Sequence, residues 1–178
     1  MAGGIQKGTM AWDADSMKLD KQVSQAAKKL SEDKDIIELG LKYQRKLTKE
    51  QIPGGSGACC PDGGVWFLDG VLIAAFEAKK QGDAGNAIER WFKNLFLLNK
   101  INKSISYVTF ATGAGAVAKG PIGVTLSAAL LNEENIPEFD TLRLCDVSVF
   151  MEKDGFTQSE ITSMMKRALI ETAKEYCK

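Results

Sequence analysis

"PDGGVWFLDGVLIAAFEAKKQG", residues 61–82, places an aspartate before an apolar run and a glutamate and a lysine at its far end. In its middle stands Asp69-Gly70, the pair favoured by a two-residue type I′ hairpin, because both turn positions need positive φ. With those two as the turn, Leu68 faces Val71, Phe67 faces Leu72, Trp66 faces Ile73, and Asp62 lands opposite Glu77. Directly opposed residues of an antiparallel pair have Cβ atoms about 5 Å apart. The fourteen residues between the two carboxylates therefore bring them together. Lys79, two residues beyond Glu77, emerges on the same face, because side chains alternate along a strand. A one-residue bulge at Gly63-Gly64 would instead turn Asp62 to the other face.

A structural role accounts poorly for this convergence. Like charges directly opposed destabilise a sheet, although a solvated Asp-Gly turn beside an edge Glu/Lys pair would be harmless. A divalent cation turns the repulsion into binding. Two carboxylates are what Mg²⁺ commonly takes from protein, keeping its other positions for water and phosphate oxygens. Lys79 can then serve an attacking water and stabilise developing negative charge.

Composition restricts the alternatives. The 178 residues contain no histidine, which removes Ser-His-Asp and Cys-His nucleophiles, histidine-bound zinc and any histidine general base. Hydrolytic chemistry here must run on carboxylates, lysine and a hard metal. Cys59, Cys60, Cys145 and Cys177 form no CxxC pair and read as small buried thiols. Acidic and basic residues number 23 each, which argues against a general nucleic-acid coat but not against a local basic site. Between Lys79 and Lys103 six basic residues stand against two acidic ones. No stretch has the length of a membrane span or the character of a signal peptide, so a cytoplasmic location is expected.

With 44% hydrophobic and 26% charged residues, the length suits one α/β domain, residues 1–178, with a real core. Residues 20–47 read as helical, with Val23, Ala26, Ala27 and Leu30 on one face and a second segment around Ile36, Ile37 and Leu41. A turn-rich loop leads into the hairpin, about 61–80. A further helix is expected from about Asn86 to Lys100, with Ile88, Trp91, Phe92, Leu95 and Leu98 as its buried stripe. "SYVTFAT" and "TLRLCDVSVFM" read as strands, separated by the Gly-rich "TGAGAVAKGPIG". That loop lacks phosphate-loop spacing and is read as a plain loop carrying one cation, Lys119. The last helix starts at a capping box, Thr157 with Glu160, and buries Ile161, Met164, Met165, Ala168 and Leu169. This order describes a central mixed β-sheet flanked by helices.

Asp62, Glu77-Ala78-Lys79 and the preceding Pro61 match the signature of the PD-(D/E)XK nucleases. The longer set "PDGG", "EAKKQG" and "GNAIERWFKN", residues 61–94, resembles the EcoRI-like type II restriction endonucleases. The resemblance implies a restriction-endonuclease-like core and a Mg²⁺-dependent enzyme cutting double-stranded DNA as a homodimer at a palindrome. It implies Asp62 and Glu77 as metal ligands and Lys79 as the residue serving the water. Asn86, Ala87, Glu89 and Arg90 would open a recognition helix reading a central AATT, and Lys80 would touch phosphate. A third metal-site acid would come from an earlier helix, with Glu32 and Glu38 as candidates. Such an enzyme leaves 5′-phosphate ends, and a cognate DNA methyltransferase would protect its host.

The chemistry of adenine is compatible. Its major-groove edge offers an N7 acceptor and an N6 donor, which Arg90 and Glu89 complement and Asn86 can engage together. Lys93 is placed for a phosphate. The same residues also make an ordinary Asn86 N-cap and a Glu89–Lys93 surface pair. Two other functions fit the motif: a structure-selective repair or recombination nuclease, and a non-catalytic DNA-binding protein.

Overall fold

The computed structural model describes residues 18–54, 59–80, 87–112, 146–152 and 155–178. Helix α1 covers residues 18–31 and the short α2 runs Lys34–Glu38. Five strands follow: β1 (Lys42–Gln44), β2 (Val65–Leu68), β3 (Val71–Lys80), β4 (Ser106–Thr112) and β5 (Asp146–Glu152). Helix α3 (Ala87–Ile101) lies between β3 and β4, and α4 (Gln158–Tyr176) comes last. The strands form one sheet in the order β1-β2-β3-β4-β5. The first three pair antiparallel, and β3, β4 and β5 run parallel. The expected mixed sheet with helices is therefore present. None of the helices among the described residues is long and apolar enough to cross a membrane.

Each face of the sheet carries its own core. On one side Leu19, Val23, Ala26, Ala27 and Leu30 of α1 and Ile161, Met165 and Leu169 of α4 pack on Phe76, Ala78, Val108 and Phe110. On the other, Trp91, Leu95 and Leu98 of α3 cover Leu72, Ala75 and Tyr107, with Leu47, Ile52 and Cys59 closing the edge. Two hydrogen bonds fasten α1 to the start of α4: Gln22 Nε2 donates to the Phe156 carbonyl and Gln158 Nε2 to the Gln22 carbonyl, both 2.9 Å. Lys166 of α4 also binds Asp33 and Asp35, at 2.9 and 2.7 Å, so the α2 N-terminus is held by a cation.

Local signals explain the borders. Asp69 and Gly70 have φ of 50° and 81°, the type I′ pattern. The Thr157 hydroxyl and the Glu160 carboxylate form the reciprocal capping box. Helix α3 and strand β4 fall within a residue of expectation. The helical reading of residues 20–47 is corrected at its end. The chain turns at Gly40, φ 78°, and Lys42–Gln44 join the sheet as β1. A helix-compatible pattern gives way there because Tyr43 gains a ring contact with buried Trp66, centroids 5.2 Å apart, and a strand partner in β2. The cysteines are also mixed: Cys59 is buried, while Cys60 and Cys177 are exposed. Cys145 and the Gly-rich loop with Lys119 lie outside the described residues.

The hairpin register holds only next to the turn. Phe67 pairs with Leu72 as expected, but Trp66 pairs with Ala74 and Val65 with Ala75. One extra residue in β3 makes a bulge, and Ile73 and Ala74 consequently both pack into the α1/α4 core, whereas Leu72 and Ala75 belong to the α3 side. Beyond it, Phe76 takes the Gly63 N–H with its carbonyl, 2.9 Å, and gives its own N–H to the Gly64 carbonyl, 3.3 Å. Two glycines facing one phenylalanine return the count to its starting value, so Asp62 again stands opposite Glu77.

Candidate active site

The parallel end of β3 carries the charges. Glu77 pairs with Thr109 of β4 and Lys79 with Ala111, both on the face covered by α3. Glu77 is only 3% exposed. Lys79 Nζ donates to Glu77 Oε1. The other oxygen, Oε2, receives a long bond of 3.4 Å from Asn94 Nδ2, one turn into α3 from Trp91. Asp62 comes from the neighbouring segment, and its Oδ2 accepts the Ala78 N–H at 3.0 Å. The structure thus gathers Asp62, Glu77 and Lys79, the residues the sequence singled out. Asp62 and Glu77 reach one place from two segments, with Lys79 bound to Glu77.

The glycines of "PDGG" make this approach possible. A Cβ on Gly63 would lie 2.6 Å from Phe76 Cβ and 2.9 Å from Val23 Cγ1. Gly64 has φ 68° and would drive a Cβ to 2.6 Å from the Gln44 carbonyl oxygen. Larger residues would push the Asp62 segment off the sheet.

A third carboxylate faces the pair. Asp20, on the first turn of the described part of α1, is half-buried. Burial pushes its carboxyl up to about 6, and the Asp62 charge adds to that, while Lys79 and Arg45 pull the other way. Burial likewise raises Glu77 to about 7; Lys79 opposes the rise, and the Asp62 and Asp20 charges reinforce it. Three carboxylates around one ammonium leave an excess of negative charge in a poorly hydrated place. Asp20 is an earlier-helix acid whose charge reaches Glu77, whereas Glu32 is exposed and Glu38 pairs with Lys34 at 3.6 Å on an exposed face of α2. Among the described residues no three carboxylate, thiol or imidazole groups stand at metal-holding spacing.

Comparison with protein-family models, curated proteins and solved structures returns no match for this chain.

The floor of the site is polar and buried. The Tyr107 hydroxyl, fully enclosed, lies beside the Asn94 amide without hydrogen-bonding geometry to it. Burial, then the charge of Glu77, holds it well above the ordinary range for a phenol. Trp91 Nε1 donates to Thr109 Oγ1 at 2.8 Å, fixing α3 above the site. Burial, with Glu77 nearby, raises the Cys59 thiol to about 12, so it stays a thiol and gives no nucleophile.

The recognition residues are only partly placed. Ala87, Glu89 and Arg90 fall in the first turn of α3, but their side chains, like that of Lys80, lie outside the described residues, as does all of Asn86. Lys93 is exposed on α3. Sequence reasoning missed Asn94 and Asp20. Both had a signal: Asn94 interrupts the stripe of Trp91, Leu95 and Leu98, and Asp20 shares its helix face with Val23 and Ala27 at i+3 and i+7.

Proposed function

We propose that the chain is a Mg²⁺-dependent DNA endonuclease with a PD-(D/E)XK site on a restriction-endonuclease-like core. The observation that carries this reading is the meeting of Asp62 and Glu77 from separate segments beside Lys79. Their donor set suits a hard cation: carboxylate oxygens, crowded enough that Glu77 and Asp20 hold their protons to unusually high pH. Asp62 and Glu77 would hold the ion, and the Asp20 charge would add to the pull on it. When bound, Mg²⁺ would lower the pKa of a water and neutralise phosphate charge.

The protein's own groups do the rest. Lys79, kept at the site by Glu77, orients the water and stabilises negative charge as it builds on the phosphate oxygens. The water gives up a proton to bulk solvent as its oxygen attacks phosphorus, the bond to the 3′ oxygen breaks, and that oxygen takes a proton from solvent. The products are a 5′-phosphate and a 3′-hydroxyl. Asn94 steadies Glu77 through Oε2, and the Pro61–Gly64 segment fixes Asp62.

The finer reading is a type II restriction endonuclease: a cytoplasmic homodimer cutting double-stranded DNA at a palindrome with an AATT core, read by Asn86, Ala87, Glu89 and Arg90 with Lys93 on phosphate. Its support is the resemblance over residues 61–94 and the position of Ala87–Ile101 as a helix directly after the site strand. A methyltransferase would then accompany it.

The test is digestion of a phage DNA of known sequence in Mg²⁺ and in EDTA, with the ends sequenced. Discrete Mg²⁺-dependent ends sharing AATT, lost in Glu77→Ala, are expected. Ends at another palindrome would refute the recognition residues alone, and cleavage confined to branched or damaged DNA would favour the repair nuclease. Salt-dependent binding with no cut in Mg²⁺ would leave a DNA-binding protein.

A further inference from the structure

Arg45 stands beside this site and has no part in the roles above. It follows β1 directly, and the pairing of Gln44 with Val65 sets it level with Gly64, at the sheet end where the charges gather. Two contacts pin it there. Its Nη1 donates to the Pro61 carbonyl at 2.7 Å, immediately before Asp62, and its own carbonyl accepts from Cys60 Sγ at 3.7 Å. The side chain is nonetheless exposed.

A structural arginine at such a place would pair with a carboxylate, and three are nearby. Arg45 makes no ion pair among the described residues; its charge acts on Asp20 through space. Of the five N–H donors of a guanidinium, the Pro61 carbonyl uses one, and the rest form a planar fork matched to phosphate oxygens. The need for such a group is electrostatic. A phosphodiester approaching Asp62, Glu77 and Asp20 meets excess negative charge, and Lys79 is already engaged by Glu77. Lys46, the next residue, is also exposed and adds a second positive charge to this segment.

We propose that Arg45 is a ligand of a DNA backbone phosphate, holding the strand at the mouth of the Asp62–Glu77 site. This rests on the nuclease reading and names a contact that the reading does not contain. Holding the fork against the Pro61 carbonyl pre-orders it, so little side-chain freedom is lost when phosphate arrives.

The experiment measures binding of the full chain to a fluorescent DNA duplex in EDTA, over a salt series, for wild type, Arg45→Gln and Lys34→Gln. Each phosphate contact contributes about 0.9 to the slope of log affinity against log salt. Arg45→Gln should reduce that slope by about 0.9, so that between about 0.05 and 0.2 M salt wild type loses about 3.5 times more affinity than the variant. Lys34, 86% exposed on α2, removes the same charge away from the site, and its substitution should leave the slope unchanged. Arg45→Lys should restore the slope, since lysine also neutralises a phosphate. Unchanged slope in a folded Arg45→Gln chain overturns the proposal while leaving the nuclease intact, including where cleavage falls, because Arg45 would then only support Pro61. An equal loss in Lys34→Gln overturns it too, by assigning the effect to net charge. A wild-type chain that neither binds nor cuts DNA removes the nuclease reading, and this contact with it.

Discussion

Replacing Glu77 by glutamine should make the metal-free chain more stable above neutral pH, not less. Glu77 is buried and holds its proton up to about 7, against an ordinary 4.5. The folded chain therefore binds that proton more tightly than the unfolded chain, and the protonated form stabilises the fold. This contribution is fully present below pH 4.5 and is lost as pH rises through about 7. Between about pH 5 and 8 the loss amounts to at most about 2–3 kcal/mol, a ceiling because Lys79 shares the titration. Glutamine keeps the shape, still offers an oxygen to Lys79 and carries no charge to bury. Asn94, whose amide can turn to offer its oxygen, can meet the new NH₂ group. Urea unfolding in EDTA at the two pH values reads the effect. Wild type should lose up to about 2–3 kcal/mol more than Glu77→Gln between them, with the variant the more stable at pH 8. Equal losses in both chains would refute the assignment of this pH dependence to Glu77, and with it the picture of a carboxylate kept at a cost to stability for the sake of function.

Three further outcomes follow from the same geometry. Mg²⁺ should raise the unfolding temperature at pH 8 and little at pH 5, where Glu77 and Asp20 keep protons that compete with the ion; an equal rise in Glu77→Gln would place the ion elsewhere. Gly63→Ala should cost about 1–3 kcal/mol in urea unfolding, because its Cβ meets Phe76 and Val23 well inside contact distance, and a cost under about 0.5 kcal/mol would mean the Asp62 segment is free to shift. Thr157→Ala should cost about 1 kcal/mol through loss of the α4 cap, and thermal unfolding unchanged from wild type would show that the capping box contributes nothing.

What the sequence reveals is what local chemistry determines. Asp69-Gly70 specifies its own turn, Thr157 and Glu160 specify a helix start, and the Trp91, Leu95, Leu98 spacing specifies which side of α3 is buried. The turn predicts the convergence of Asp62 and Glu77, but the fold keeps it only because Gly63-Gly64 cancel the register shift in β3. The failures are of another kind. Nothing in "VLIAAFEAKK" marks Ile73-Ala74 as a bulge, since both residues suit a regular strand. Strand β1 is three residues long, too short for a period, and exists because Tyr43 finds Trp66. Choosing Asp20 over Glu32 and Glu38 requires knowing how α1 lies on the sheet, which depends on contacts to α4 more than a hundred residues away.

The bulge has a consequence for how this protein can change. A strand stores the facing of each side chain as odd or even, and the extra residue in β3 inverts that value for everything after it, Glu77 and Lys79 included. The paired glycines before β2 invert it once more for Asp62. Losing a residue at either place alone would send one carboxylate to the wrong side, while losing one at both could leave the two acids together on the opposite face. Length changes in this hairpin therefore part the acids from each other or from Asn94, and each single deletion should abolish the site.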